Sequence, residues 1–171
     1  MHRELSEIPV TGSQYISRMC FVCGEENHMS LKAQFLVLDD GRLCATFEPS
    51  EEHQSYPGRL HGGVTSAILD ETIGRVVQVK HPEIFGVTIE LNVKFRQPVP
   101  LGCPLKVVAT LTKESARIFE GTGELLLPDG TVAAQATARY FRLPVDAISE
   151  GGLSDEDWFA DQRQCPNSIQ A

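Results

Sequence analysis

Two adjacent carboxylates, Asp70 and Glu71, interrupt the otherwise apolar run of LHGGVTSAILDETIG, residues 60–74. A carboxylate can take a proton from water or attack a carbonyl carbon itself. A solvated helix face is the ordinary fate of such acids, but Val64, Ala67, Ile68, Leu69 and Ile73 flank this pair. Neighbouring helix positions differ by about 100°, so one acid at most faces a given cleft. Asp70 is the favoured candidate and Glu71 its rival. Gly62 and Gly63 open the stretch, where the first helical turn has free N–H groups and the positive end of the dipole. Glycine there lets a ligand carbonyl approach the backbone closely. His61 reads as a brace for the turn rather than as an acid or base, and His53 as a loop residue.

A second group is Cys20-x-x-Cys23, which invites a zinc reading. Tetrahedral zinc needs four ligands, and no second CxxC or HxxxH follows. Cys44 and Cys103 fall within or beside strand patterns, and His28 stands alone. No metal and no cofactor are expected.

These residues need elements to hold them. LKAQFLVL (31–38), DDG (39–41) and RLCATFEP (42–49) read as strand, turn and strand, with Gly41 supplying the positive φ. A loop with Pro57 and Gly58 leads to a helix over about 62–80, ended by His81-Pro82 because the residue before proline avoids helical geometry. Four strand-like runs follow, at 86–99, 104–114, 116–127 and 131–143. In the first of them Val87, Ile89, Leu91, Val93 and Phe95 alternate strictly, which predicts a half-buried antiparallel strand. Glu90 and Asn92 fall on its other face, toward solvent or a subunit interface. Residues 1–19 read as an arm or short helix, and 144–171 as an acidic tail in which Trp158 and Phe159 suggest a docking segment. One helix among six antiparallel strands must pack across a sheet face to bury its apolar stripe, so the fold class is α+β.

Composition bounds the function. The 171 residues fit one domain, with 42% hydrophobic and 22% charged residues, as in a globular protein. Net charge is −8 and the 15 basic residues are scattered, which argues against a nucleic-acid surface. No signal peptide and no membrane span are expected. Five cysteines, an odd number, fit free thiols in a reducing cytosol, hence a cytoplasmic protein.

HGGVTSAILDETIG resembles the helix-opening signature of hotdog-fold thioesterases, particularly their phenylacetate-pathway (PaaI-like) branch. The likeness runs from about Cys20 to Leu143 and includes CFVCGEEN (20–27), EEHQSYPGRLHGG (51–63) and GVTIELNVKFRQPVP (86–100). It implies an antiparallel sheet wrapped around one long helix, a domain over 20–143, and hydrolysis of an acyl-CoA to free acid and CoA. It further implies Asp70 as general base or nucleophile, the Gly62 N–H polarising the carbonyl, Thr88 as an assisting hydroxyl, and Ser55 where relatives often carry Asn or Gln. His61, Gly63 and Glu71 would line the substrate site, with Arg59, Lys94 and Arg96 near CoA phosphates.

Gly62 and Asp70 lie eight residues apart, roughly 12 Å along a helix axis. Both must reach one carbonyl, so one helix cannot readily supply both. Two antiparallel helices across a two-fold axis could, with Gly74 permitting their close approach, which agrees with the family's intersubunit sites. The expected assembly is a homodimer or a dimer of dimers. Two rival functions share this fold: an acyl-CoA binding module without turnover, and a hydratase or dehydratase.

Overall fold

The computed structural model describes residue 1 and residues 4–171; positions 2 and 3 of the expected arm lie outside the described residues. The strands are β1 (Glu7–Ser13), β2 (Ile16–Ser17), β3 (Gln34–Leu38), β4 (Leu43–Phe47), β5 (Phe85–Phe95), β6 (Leu105–Glu114), β7 (Ile118–Leu126), β8 (Val132–Leu143), β9 (Trp158–Phe159) and β10 (Ser168–Gln170), and the α-helix is α1 (Gly62–Arg75). Eight strands form one antiparallel sheet in the order β10-β1-β3-β4-β6-β7-β8-β5, and β2 pairs with β9. The fold is α+β, a single α-helix against a large antiparallel sheet.

Side-chain size decides where the helix lies. On the face of β7 and β8 toward α1, small residues cluster at Gly121, Gly123, Ala134, Ala136 and Ala138, flanked by Phe119, Leu125 and Tyr140. A Cβ at Gly121 would stand 2.7 Å from Ile73 Cγ2 and 3.1 Å from the Thr110 carbonyl oxygen, and one at Gly123 would meet Ile73 at 2.9 Å. The small residues make a trough that α1 fills with Ile68, Leu69 and Ile73, all fully buried. Each such side chain stabilises the fold by about 1.5–3 kcal/mol. On the opposite face, Ile8, Leu36, Leu38, Cys44, Val108, Leu126, Val132 and Ile169 form a second, smaller core.

Three sequence expectations change. The helix stops at Arg75 rather than about 80, and Val76–Val79 tighten into a 3₁₀ turn. Three β-branched valines in four residues favour α-helix weakly, and the Gln14 side-chain amide donates to the Arg75 carbonyl at 3.1 Å, satisfying one of the carbonyls a helix end leaves open. Residues 7–13 of the expected arm are sheet strand β1, antiparallel to both β3 and β10. The alternation in β5 is broken by a bulge between Thr88 and Glu90. It turns Thr88 to the helix side, opposite Tyr140, whereas Glu90 pairs with Arg139 on the outer face at 3.6 Å.

The close approach of Ile73 is testable. Gly121→Ala is expected to destabilise the protein by about 1–3 kcal/mol, because Ile73 branches at Cβ and cannot swing aside and Thr110 offers backbone. Urea denaturation checks this; an unchanged midpoint would mean that the trough has slack.

Candidate active site

The site grows from the middle of α1. Asp70 is half-buried, and two hydroxyls converge on its carboxylate. Thr88 Oγ1 donates at 3.0 Å to Oδ1, with Oδ2 at 3.2 Å. The Tyr140 hydroxyl lies 3.0 Å from Oδ1 and 2.8 Å from the Asp70 carbonyl oxygen. The bulge in β5 is what aims Thr88, a use of bulges that recurs beside functional sites. Tyr140 is fixed by stacking on Phe119, centroids 4.9 Å apart. Gly74 admits this ring: a Cβ there would lie 3.0 Å from Tyr140 Cε1.

Burial raises the Asp70 pKa above the ordinary aspartate value, and the Thr88 and Tyr140 hydrogen bonds offset only part of that, with Glu71 adding a like charge. A carboxylate so held is a stronger base than one in water. Glu71 is differently placed. Its Oε1 accepts from Arg75 Nε at 2.7 Å, one turn along the helix. Of the two acids, Asp70 is the one answered by neutral hydroxyls alone.

A cavity of about 180 Å³ opens beside Asp70, bounded by Glu71, Gly74, Thr88, Tyr140, Phe85 and Trp158 among others. Tyr140 and Trp158 carried no sequence signal for this site. Tyr140 lies 70 residues from Asp70. Trp158 comes from the tail, which folds back so that its ring lies 4.7 Å from the Arg75 guanidinium and edge-on to Phe85.

The Gly62 end is a second locus. His61 is the N-cap of α1, and its Nδ1 accepts from the Gly63 N–H at 2.8 Å, which is the bracing role its position suggested. That contact occupies the Gly63 donor. The Gly62 N–H takes no acceptor among the described residues. A cavity of about 290 Å³ adjoins it, bounded by Leu60, Thr65, Phe95 and Arg96 among others. Thr65 is 1% exposed, and its hydroxyl has no hydrogen-bond partner among the described residues.

The other candidates scatter. Arg96 reaches the Gly62 cavity and also bonds Gln135. Lys94 lines a cavity on the sheet face away from α1, with Asn92, Thr110 and Thr137. Arg59 is exposed and bridges to Pro100. Ser55 is exposed in the loop, its N–H donating to the Arg59 carbonyl at 2.9 Å; it borders neither the Asp70 nor the Gly62 cavity. His53 is buried and bonds the Met29 carbonyl and the Ser50 backbone, tying loops together. Among the described residues no helix is long and apolar enough to cross a membrane.

Residues 57–134 match the thioesterase superfamily model. The chain is 29% identical to the acyl-coenzyme A thioesterase THEM4 of Rattus norvegicus over 115 residues, 67% of this chain and 49% of that one. It is 34% identical to the acyl-coenzyme A thioesterase THEM5 of Mus musculus over 117 residues, 68% and 46% of the two chains. The chain thus spans about half the length of the curated relatives it matches. The crystal structure of RHA08564, a thioesterase superfamily protein, superposes with a TM-score of 0.66 at 27% identity, covering 74% of this chain and 61% of that one. The architecture is the hotdog fold.

Two outcomes follow from the carboxylate's setting. The folded-state pKa of Asp70 lies above its unfolded value, so the stability it contributes when protonated is lost as pH rises through the folded pKa. Asp70→Asn, which does not titrate, is therefore expected to gain stability relative to wild type as pH rises from the ordinary aspartate value through the raised folded one, read as urea midpoints. Tyr140→Phe keeps the stack on Phe119 and removes one donor to the carboxylate. It is expected to raise the Asp70 midpoint in a carboxyl NMR titration by about one pH unit or more; no change would mean that the hydroxyl serves the backbone carbonyl alone.

Proposed function

We propose that the protein is an acyl-CoA thioesterase working as a homodimer, a reading supported by the match of residues 57–134 to the thioesterase superfamily model. The observation that carries this reading is the Asp70 carboxylate, made basic by burial and oriented by Thr88 and Tyr140 beside an open cavity. In the reaction, Asp70 takes a proton from water as the water oxygen attacks the thioester carbonyl carbon. The carbon–oxygen π bond opens to an oxyanion, which an N–H donor stabilises. Collapse then breaks the C–S bond, and the CoA sulfur leaves with a proton.

The donor is the Gly62 N–H of the partner subunit. Support comes from its lack of an acceptor, from the helix dipole behind it, and from the roughly 12 Å that separates it from Asp70 along one helix. β5 supports the dimer. It is the last strand of the sheet, and its Ile89 and Phe95 are 40% and 56% exposed; an open edge with apolar side chains invites pairing with a second copy. Arg96, beside the Gly62 cavity, is the cation best situated for a CoA phosphate, with Arg59 and Lys94 further out. The enzyme would work in the cytoplasm, a reducing compartment that suits its five free cysteines.

The test is hydrolysis of short-chain, long-chain, phenylacetyl and benzoyl CoA esters, followed by thioester absorbance so that the protein's own thiols do not interfere. Asp70→Asn is expected to lose about 10²–10⁴ in kcat while remaining folded. Gly62→Pro removes the N–H alone, since proline suits the first helical position and His61 already has the extended backbone that proline requires. It is expected to lose about 10²–10³. Mixing the two inactive variants under subunit exchange should restore about a quarter of wild-type activity, because each mixed dimer holds one intact site. Inert wild type that binds acyl-CoA would sink the enzyme reading. An Asp70→Asn variant that keeps its activity would sink the assignment of the base, and two inactive variants that fail to complement would sink the shared site.

A further inference from the structure

The CFVCG stretch is unused by thioester hydrolysis, and its geometry is particular. Residues 20–24 make one helical turn, closed by the Gly24 N–H donating to the Cys20 carbonyl at 2.8 Å. A Cβ at Gly24 would stand 2.3 Å from that carbonyl oxygen, so only glycine closes the turn. Lys32 Nζ clamps it by donating to the Gly24 carbonyl at 2.8 Å. One turn brings side chains three residues apart to the same side, within the reach of a disulfide. The donor atoms of Cys20, Cys23 and Glu71 all lie within 4.8 Å of one another.

Around this pair the polar contacts are those of an activated dithiol. The Val22 N–H donates to Cys20 Sγ at 3.3 Å, and Arg75 Nη2 donates to Cys23 Sγ at 3.2 Å. Cys20 is partly exposed, with Phe21 and Met19 open to solvent on either side, whereas Cys23 is buried. A hydrogen bond from Cys23 brings the Cys20 pKa down to about 7, against the opposing effect of burial, and the Cys23 thiol is correspondingly raised.

We propose that Cys20 and Cys23 form a redox-active dithiol that a hydroperoxide closes to a disulfide, with Cys20 the attacking sulfur and Cys23 the resolving one. The Cys20 thiolate attacks a peroxide oxygen and the O–O bond breaks, giving a sulfenic acid on Cys20. For hydrogen peroxide the hydroxide released takes a proton and leaves as water. The Cys23 sulfur then attacks Cys20 Sγ, the S–S bond forms, the S–O bond breaks and a second water leaves. Two thiols are oxidised by two electrons and one peroxide is reduced. A zinc ion fits the same atoms less well. Glu71, its only third ligand here, already accepts from Arg75, and that buried guanidinium lies in hydrogen-bond contact with Cys23, where it would repel a dication. Closing the disulfide changes the sulfur that Arg75 contacts, and Arg75 stacks on Trp158, the only tryptophan.

The test oxidises the purified full chain with hydrogen peroxide and maps its cysteines by mass spectrometry. The expected result is a Cys20–Cys23 link with loss of two hydrogens, reversed by dithiothreitol, and a reversible change in Trp158 emission. Cys20→Ser should abolish both, and Cys23→Ser should trap a dimedone-reactive sulfenic acid on Cys20. At neutral pH, iodoacetamide should label Cys20 at least about a hundredfold faster than buried Cys44, whose thiol burial pushes up to about 12. Persistent thiols at both positions, or overoxidation of Cys20 without a link, would overturn the proposal. So would one equivalent of zinc in the purified protein that protects both thiols until chelated. A linked protein with unchanged tryptophan emission would overturn the coupling to Arg75.

Discussion

A fully buried guanidinium has to be answered on every side, and Arg75 is answered by five separate parts of the chain. Burial works against its charge, and Glu71 together with the nearby cysteine sulfurs more than offsets that. Its Nη1 donates to the Tyr15 carbonyl at 2.8 Å and its Nη2 to Cys23, and its plane lies over the rings of Phe35 and Trp158 at 4.2 and 4.7 Å. The end of α1, the link after β1, the cysteine turn, β3 and the tail therefore meet at one cation. Removing a partner would leave this buried charge uncompensated, so the charge specifies where each segment docks as well as stabilising the whole.

That arrangement bears on the carboxylate next door. Because Arg75 holds Glu71, the second acid is neutralised locally, and Asp70 faces its cavity with neutral hydroxyls as partners. The site then combines a base that burial makes stronger with donors that keep it oriented, at some cost in folding stability at neutral pH. Sites of this kind commonly trade stability for reactivity. The helix trough supplies the rigidity: Gly121 and Gly123 bring α1 against the sheet so closely that Asp70 and Tyr140 are held by backbone contacts as well as by side chains.

The chain's own pattern made the α+β class and the central helix legible, because both follow from local periodicity, whereas the hotdog architecture entered through the resemblance carried by HGGVTSAILDETIG. HGG before an amphipathic run, and alternation in the strands after it, need no long-range information. The Gly62 and Asp70 positions were legible for the same reason, since a glycine at a helix start and an acid among apolar neighbours are local anomalies. Thr88 was picked out by resemblance, although strict alternation would have put it on the polar face of β5; the bulge that reverses it is a property of the pairing with β8. The arm was misread because Glu7–Ser13 alternates weakly, and its strand exists only by pairing with β3 and β10.

The sequence by itself determined the helix that carries the acids, the strands over 34–47 and 85–143 that surround it, and the glycine from which an N–H could point at a carbonyl. These depend on residue spacing within one segment. The tertiary structure alone decided which acid lacks an ion pair, through Arg75; which second hydroxyl joins Thr88 on it, through Tyr140; and what walls the cavity, through Trp158. Those outcomes depend on burial and on contacts between residues tens of positions apart, where desolvation sets the energy and no local pattern records it.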